Sequence, residues 1–458
     1  MAENFARRLE ATARRVPDKP ALVWDGGALT FAELDTRACA LADALTARGV
    51  KAGDCVALSI GNHWAFAIAL LAGWKVGATV APLDKLLKDD ERGGILADLL
   101  PALLLDETCV DGPEAAAAGR RSEDGGALIL YTSGSTGRPK GALLSHTALE
   151  LANESWAGPV MALTQADVVL ATLPLAHSFG LNGALLAPLL VGATVALVDR
   201  FAPDRVLDAI RRHRVTVFPG VATMFRRLLD APELAAADLG SVRIAVSGAA
   251  PCPWELAERW RSRTGIRIVR GYGMTELFRP ISYQAADPTE SPDSIGWPVP
   301  GVEIRIVEDE LWIKSPSAMD AYVNAPDETR EVLVDGWFRT GDLATVSAEG
   351  LVTIVGRKRE RILRGGYSVF PPEVEAVLLT HPAVAEAAVL AVPHPELGEE
   401  VAAFVALRPD SRATPDELVA HCRERLAAFK YPRRLVVLDA LPKSPTGKVL
   451  KGKLSQMS

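Results

Sequence analysis

Three observations predict an α/β protein. Short strand-like runs alternate with amphipathic segments, the apolar fraction suits a buried core, and one charged stretch sets off a small C-terminal unit. Runs at 126–131 and 242–247 are rich in β-formers, whereas 202–213 and 255–264 carry helical apolar spacing. Such alternation argues for largely parallel sheets. At 458 residues the chain exceeds a single compact core, so two or three packed subdomains are expected. The stretch Gly356-Arg357-Lys358-Arg359 separates the strand-like 351–355 from a segment opening at Ile362. The expected organisation is a large N-terminal domain of packed α/β subdomains, residues 1–356, followed by a small C-terminal α/β domain, residues 357–458.

Composition narrows the function classes. Apolar residues make up 49% and charged residues 23%, which is ordinary for a globular chain and excludes disorder. Lys and Arg number 50 against 57 Asp and Glu, a net charge of −7, with no long basic block to follow a nucleic-acid backbone. The segment 1–20 reads as an amphipathic helix and lacks the apolar run of a secretory signal. The most apolar run, 183–198, is shorter than the roughly 18 to 20 residues of a membrane span and reads as a buried helix followed by a strand. Cys39, Cys55, Cys109, Cys252 and Cys422 are scattered, with no Cys-x-x-Cys pair. A reducing cytoplasm is the expected location.

The strongest local signal is Tyr131-Thr132-Ser133-Gly134-Ser135-Thr136-Gly137-Arg138-Pro139-Lys140-Gly141, directly after an apolar strand. Its glycines admit close backbone approach, its hydroxyls and amides can bond phosphate oxygens, and Lys140 adds a cation. The spacing is neither that of a Walker A loop nor that of Gly-x-Gly-x-x-Gly, so a P-loop NTPase or a dinucleotide dehydrogenase is disfavoured.

This loop resembles the phosphate loop of the adenylate-forming superfamily of acyl-CoA synthetases, luciferases and peptide-synthetase adenylation domains. Further motifs follow in family order over nearly the whole chain. Gly271-Tyr272-Gly273-Met274-Thr275-Glu276 is similar to the adenine and magnesium motif, and Trp337-Phe338-Arg339-Thr340-Gly341-Asp342 to the ribose motif. Gly356-Arg357 with Arg364-Gly365-Gly366-Tyr367 resembles the hinge and thiolation loop, and Pro442-Lys443-Ser444-Pro445-Thr446-Gly447-Lys448 the terminal lysine motif. The resemblance implies an AMP-forming ligase most like an acyl-CoA synthetase. It would use ATP, Mg²⁺ and coenzyme A, join a small carboxylic acid to AMP, and then pass the acyl group to CoA. The alternative acceptor is the phosphopantetheine of a carrier protein. A nucleotide-binding regulator is disfavoured because Lys448, Glu276 and Asp342 occur together.

The resemblance also carries residue roles. Lys448 would bridge the substrate carboxylate and the α-phosphate, where anion meets anion and growing charge needs a cation. Glu276 would hold magnesium, and Asp342 would accept the ribose hydroxyls. Thr132, Ser133, Gly134, Ser135, Thr136, Gly137 and Lys140 would cradle phosphate. Tyr272, Gly273, Gly248, Ala249 and Ala250 would surround adenine, and Thr275 and Arg357 would contact phosphate and ribose. Read apart from the motif, Glu276 could equally be a helix-start acid and Arg357 a surface charge.

Leu173-Pro174-Leu175-Ala176-His177-Ser178-Phe179-Gly180 resembles the acyl-pocket motif, with His177 beside the reacting carboxylate. Phe179, Gly220, Val221, Ala222 and Arg279 would complete the pocket, for which an apolar or aromatic acid fits best. Arg279 either meets a second substrate carboxylate or faces solvent. Amino-acid-activating members place an Asp near the His177 position, and no Asp is expected there in this chain. The C-terminal domain would be mobile, turning at Arg359, where the family usually has Asp or Lys, and bringing Gly365 and Gly366 toward the thiol. Other departures are Ala321-Tyr322 in place of Gly-Tyr, and short connections at 307–311 and 108–127.

Overall fold

The computed structural model describes residues 4–110, 126–132, 139–234, 239–287, 291–443 and 449–457. Contacts divide the chain into two compact units, 1–304 with 313–338, and 305–312 with 339–458. The second unit thus takes in a hairpin that precedes Gly356. Glu310 on that hairpin accepts from the Gly341 amide at 3.1 Å and from Lys358 Nζ at 3.1 Å, which ties it to the strands on either side of the expected boundary.

The first unit contains two large mixed sheets. In the seven-stranded sheet, strands Ile268–Val269, Ile244–Ser247, Val217–Gly220, Val168–Ala171, Thr194–Leu197 and Pro20–Trp24 run parallel, with Gly27–Thr30 antiparallel at the edge. The six-stranded sheet places Leu128–Thr132 beside Thr79–Pro82 on one side and Lys140–Leu144 on the other. Parallel strands need crossover connections, and helices such as Pro203–His213 and Trp254–Thr264 supply them. The strands read as continuous apolar runs because both faces are covered: Ile244–Ser247 and Thr194–Leu197 are buried at every position. Trp260, Phe218 and Phe225 pack ring against ring in the core beneath these strands. Each such side chain contributes about 1.5–3 kcal/mol by leaving water.

Helix Phe5–Arg15 begins at Asn4, whose side chain caps the Ala6 amide and also bonds the Trp74 carbonyl. The apolar run at 183–198 forms Ala187–Val191 and strand Thr194–Leu197, joined at Gly192 with φ +85°. Gly192 has the left-handed backbone that a helix C-terminus favours. No described helix is long and apolar enough to cross a membrane.

The second unit has its own core of Ile362, Val369, Val374, Leu378, Val401 and Leu418, among others. Its sheet orders Tyr367–Val369, Ile362–Arg364, Gly398–Leu407 and Val384–His394, with Arg434–Leu438 parallel to Gly398–Leu407. Helices Pro371–Leu379 and Pro415–Arg423 pack on it, the latter opened by a Thr414–Glu417 capping box.

Candidate active site

Glu276 lies on a tight β-hairpin. Strand Gly271–Met274 pairs with Phe278–Ser282 from Gly271↔Ser282 to Met274↔Phe278, leaving Thr275, Glu276 and Leu277 as a three-residue loop. Phe278, the first residue after the loop, has φ +56°, a left-handed backbone that is uncommon for a bulky side chain. A helix-start role for Glu276 is therefore excluded. Its carboxylate is buried, and Oε1 accepts from the Tyr322 hydroxyl at 2.7 Å. Tyr322 belongs to Ala321–Tyr322, which pairs with Lys140–Leu144, so sheet pairing brings the carboxylate partner beside Lys140, the candidate phosphate-binding lysine. Lys140 Nζ stands 5.3 Å from the Tyr322 ring centre and 4.0 Å from Glu328 Oε1. A cation, an aromatic hydroxyl and a buried carboxylate thus converge within one unit. Among the described residues no cluster of three or more His, Cys, Asp or Glu could hold a metal. A single carboxylate such as Glu276 suits Mg²⁺ that takes its other ligands from phosphate and water.

Thr132 ends the strand that enters the glycine-rich loop, paired with Lys140 across it. Ser133, Gly134, Ser135, Thr136, Gly137 and Lys448 lie outside the described residues.

The acyl-pocket motif is held from a distance. Buried Asn62 donates to the Leu173 carbonyl at 2.8 Å and accepts from the Leu175 amide at 3.0 Å. The loop ahead of His177 therefore has a fixed path. His177 Nε2 lies 2.9 Å from Asp84 Oδ2. This corrects the expectation that no Asp stands near His177: Asp84 is 93 residues away in sequence and arrives on the loop after strand Thr79–Pro82. Burial alone would raise the Asp84 carboxyl, but hydrogen bonds from His177 and the Leu86 amide outweigh it and hold the group below its ordinary value.

Phe179 stacks on Trp156 with ring centres 5.3 Å apart and planes at 19°. Gly248 lies against Phe179 and Arg279: a Cβ there would sit 3.0 Å from Phe179 Cε1 and 3.1 Å from Arg279 Nη1. At Gly271 a Cβ would come 2.5 Å from Arg279 Nη2. A side chain at Gly271 would displace the guanidinium, and one at Gly248 would press on both Phe179 and the guanidinium. Arg279 is 6% exposed and donates to Ser282 Oγ and the carbonyls of Ser247 and Val269, so a solvent-facing Arg279 is excluded. Its guanidinium carbon lies 5.0 Å from the Trp156 ring centre. Ser247 Oγ is buried at the same place without a hydrogen-bond partner among the described residues. Gly220 faces the core, where its missing Cβ leaves room for Phe225 and Phe218, and Val221 and Ala222 are buried at the start of helix Ala222–Leu229.

Around the candidate adenine residues, Ala249 has φ +62°, an uncommon conformation for a residue with a side chain. Ala250 follows it and is exposed, whereas Tyr272 is half-buried on its hairpin strand. Gly273 packs against the Phe278 carbonyl, which a Cβ would overlap.

The second unit carries the other candidates. Asp342 pairs with Arg357 in the antiparallel register of Trp337–Val346 and Val352–Arg357, and its Oδ1 accepts from Arg357 Nε at 2.9 Å. Asp342 is buried while Arg357 is half exposed. The carboxylate is thus oriented by a cation. Neighbouring Glu310 supports the same strand: burial would raise its carboxyl, but the Lys358 ammonium and Gly341 amide hold it low. Gly365 and Gly366 form the two-residue turn between Ile362–Arg364 and Tyr367–Val369, with φ +54° and +86°. Two left-handed central residues fit a type I′ hairpin, so the turn alone explains both glycines. Arg359 sits in the short turn Lys358–Glu360.

The chain matches the family described as AMP-binding enzyme over residues 9–125 and 116–323, and its C-terminal domain over 373–448. A feruloyl-CoA synthase of an Amycolatopsis species is 36% identical, with 96% of each chain covered. Among solved structures, ATP-bound MatB from Rhodopseudomonas palustris superposes with a TM-score of 0.93 at 29% identity, covering 100% of this chain and 99% of that one. A benzoate CoA ligase from Burkholderia xenovorans LB400 gives 0.90 at 31% identity, covering 99% and 100%. The chain belongs to the AMP-binding enzymes of the adenylate-forming superfamily. It is, more particularly, an AMP-forming carboxylic acid–CoA ligase, with ATP and CoA as co-substrates.

Proposed function

We propose that this ligase activates an aromatic or comparably flat, apolar carboxylic acid. The supporting observation is Phe179, which stacks on buried Trp156 and lies against the bare backbone of Gly248 in the acyl-pocket region. Flat ring faces beside a glycine suit a planar substrate, and polar groups at the pocket end fix its orientation. A second reading, an acid bearing another anionic group, is favoured by one observation: the Arg279 guanidinium lies against both Gly248 and Gly271.

In the proposed reaction a carboxylate oxygen attacks the ATP α-phosphorus and pyrophosphate leaves. Lys448 neutralises the charge that grows between the two anions. Magnesium, when bound with ATP, supplies further neutralisation on the phosphate oxygens. Glu276 is its proposed protein ligand, oriented by Tyr322. Lys140, Thr132 and Thr275, with Ser133 to Gly137, hold the phosphates. Tyr272, Gly273, Gly248, Ala249 and Ala250 receive adenine, and Asp342 with Arg357 receives the ribose. His177, steadied by Asp84, guards the carboxylate end of the acyl pocket.

The thiol then attacks the adenylate carbonyl and AMP departs with the bond's electron pair. For this step residues 357–458 turn as a mobile domain about Arg359, and Gly365 and Gly366 line the approach of pantetheine. A carrier-protein thiol is the competing acceptor, and the cytoplasm the proposed location. Incubation with Mg-ATP and aliphatic, aromatic and dicarboxylic acids, with and without CoA, tests the reading by mass spectrometry. Aromatic acyl-CoA with AMP and pyrophosphate is the expected result. Turnover of dicarboxylic acids alone would replace the first reading by the second, and acyl-AMP that never passes to CoA would point to a carrier protein.

A further inference from the structure

The segment that carries Lys448 is pinned at both ends inside the second unit. Lys443 and Val449 form an isolated antiparallel bridge, and the Leu450 amide donates to the Pro442 carbonyl at 2.8 Å. The Lys443 ammonium bonds Glu386 on strand Val384–His394. Lys443 and Val449, the described residues nearest Lys448 on either side, are therefore held together.

Two residues beyond the bridge, Lys451 opens the short helix Lys451–Leu454. Its Nζ lies 2.8 Å from Glu360 Oε2 and 3.0 Å from Glu375 Oε1. Glu375 belongs to helix Pro371–Leu379, and Glu360 ends the turn Lys358–Glu360, adjacent to Arg359. One ammonium thus joins three elements that are far apart in sequence: the turn beside the expected pivot, a helix of the unit's core, and the chain just past Lys448. Leu454 anchors the same helix from below, fully buried with Phe404 and Leu441. The ammonium is about one-quarter exposed, so its ion pairs are shielded from full solvent screening.

We propose that Lys451, Glu360 and Glu375 form a latch that fixes the chain just past Lys448 to the turn at Arg359, so that Lys451 and Glu360 are positioning residues for the adenylation step. The proposal rests on the reading of Lys448 as the adenylating lysine. A group that neutralises charge between two anions must be placed to within a fraction of an ångström, and a misplacement of about 1 Å costs on the order of a hundredfold. The latch holds the chain three residues after Lys448 and so limits where that lysine can be carried. It has no such bearing on attack by the thiol, for which Lys448 is not proposed to act.

The test separates the half-reactions in the full-length enzyme. Acid-dependent pyrophosphate–ATP exchange reads adenylation, and acyl-CoA formation from a chemically prepared acyl adenylate reads thiol transfer. Lys448→Ala comes first: loss of exchange upholds the reading on which the latch rests, whereas unchanged exchange overturns that reading separately. With that in hand, Glu360→Gln and Lys451→Met are each expected to slow exchange tenfold or more and to leave thiol transfer within about threefold. Lys451→Arg, which keeps the charge, is expected to recover most of the exchange rate. The charge-swapped pair Glu360→Lys with Lys451→Glu guards against simple unfolding, and should exchange faster than either of its single changes. Unaltered exchange in both neutralising variants would overturn the latch, as would an equal fall in both half-reactions.

Discussion

Removing one oxygen from Tyr322 isolates the contact that orients Glu276. Tyr322→Phe keeps the ring under Lys140, 5.3 Å from its ammonium, and deletes only the hydroxyl that donates to Glu276 Oε1 at 2.7 Å. A hydrogen bond to a buried ionised group is worth about 1.5–3 kcal/mol, or about 10- to 150-fold in rate if all of it serves the transition state. The adenylation rate at limiting Mg²⁺ is therefore expected to fall at least tenfold, with thiol transfer from preformed acyl adenylate little changed. Pyrophosphate–ATP exchange measured across a magnesium titration reads the effect, and a thermal melt confirms the fold. Exchange within twofold of the unaltered enzyme at every magnesium concentration would refute the idea that this hydroxyl prepares the metal site.

Three other outcomes follow from the same geometry. Gly248→Ala places a methyl 3.0 Å from Phe179 and 3.1 Å from Arg279, so kcat/KM should drop about tenfold or more for a two-ring acid and less for a one-ring acid, read by AMP release. Asn62→Ala leaves the Leu175 amide and the Leu173 carbonyl without their partner, and should lower stability by about 2–3 kcal/mol in urea unfolding while raising KM for the acid. The fold holds the Asp84 carboxyl below its ordinary 3.8, so the ionised form contributes stability fully present above that pH and lost as pH falls through the lower folded value. The stability gap between the native protein and Asp84→Asn should accordingly be constant near neutrality and close in acid, as followed by chemical denaturation at a series of pH values.

Much of the fold is legible in sequence because its signals are local. Helix Pro203–His213 and strand Ile244–Ser247 fall where apolar spacing places them, since each buries one stripe or both faces. The hairpin around Glu276 is less legible. Phe278, which follows the loop, takes a left-handed backbone that no propensity favours, and only its pairing with Met274 and that of Tyr272 with Ile281 over-determine it. Site residues that act through long-range contact left no mark in spacing. Asp84 meets His177 across 93 positions, Tyr322 meets Glu276 across 46, and Asn62 reaches Leu175 across 113. Arg279 is legible as a charge in an apolar stretch, but its burial depends on two distant glycines that leave it room. The departure at Ala321-Tyr322 could have drawn attention to the tyrosine, because an aromatic hydroxyl beside a phosphate loop has a ready use.

The most direct test of the central claim labels both oxygens of the acid's carboxylate with ¹⁸O and follows one turnover with Mg-ATP and CoA. If the carboxylate attacks the α-phosphorus and the thiol then attacks the carbonyl, AMP must retain one ¹⁸O atom and the thioester the other, with pyrophosphate unlabelled. Label in inorganic phosphate or pyrophosphate, with AMP unlabelled, would contradict the acyl-adenylate route.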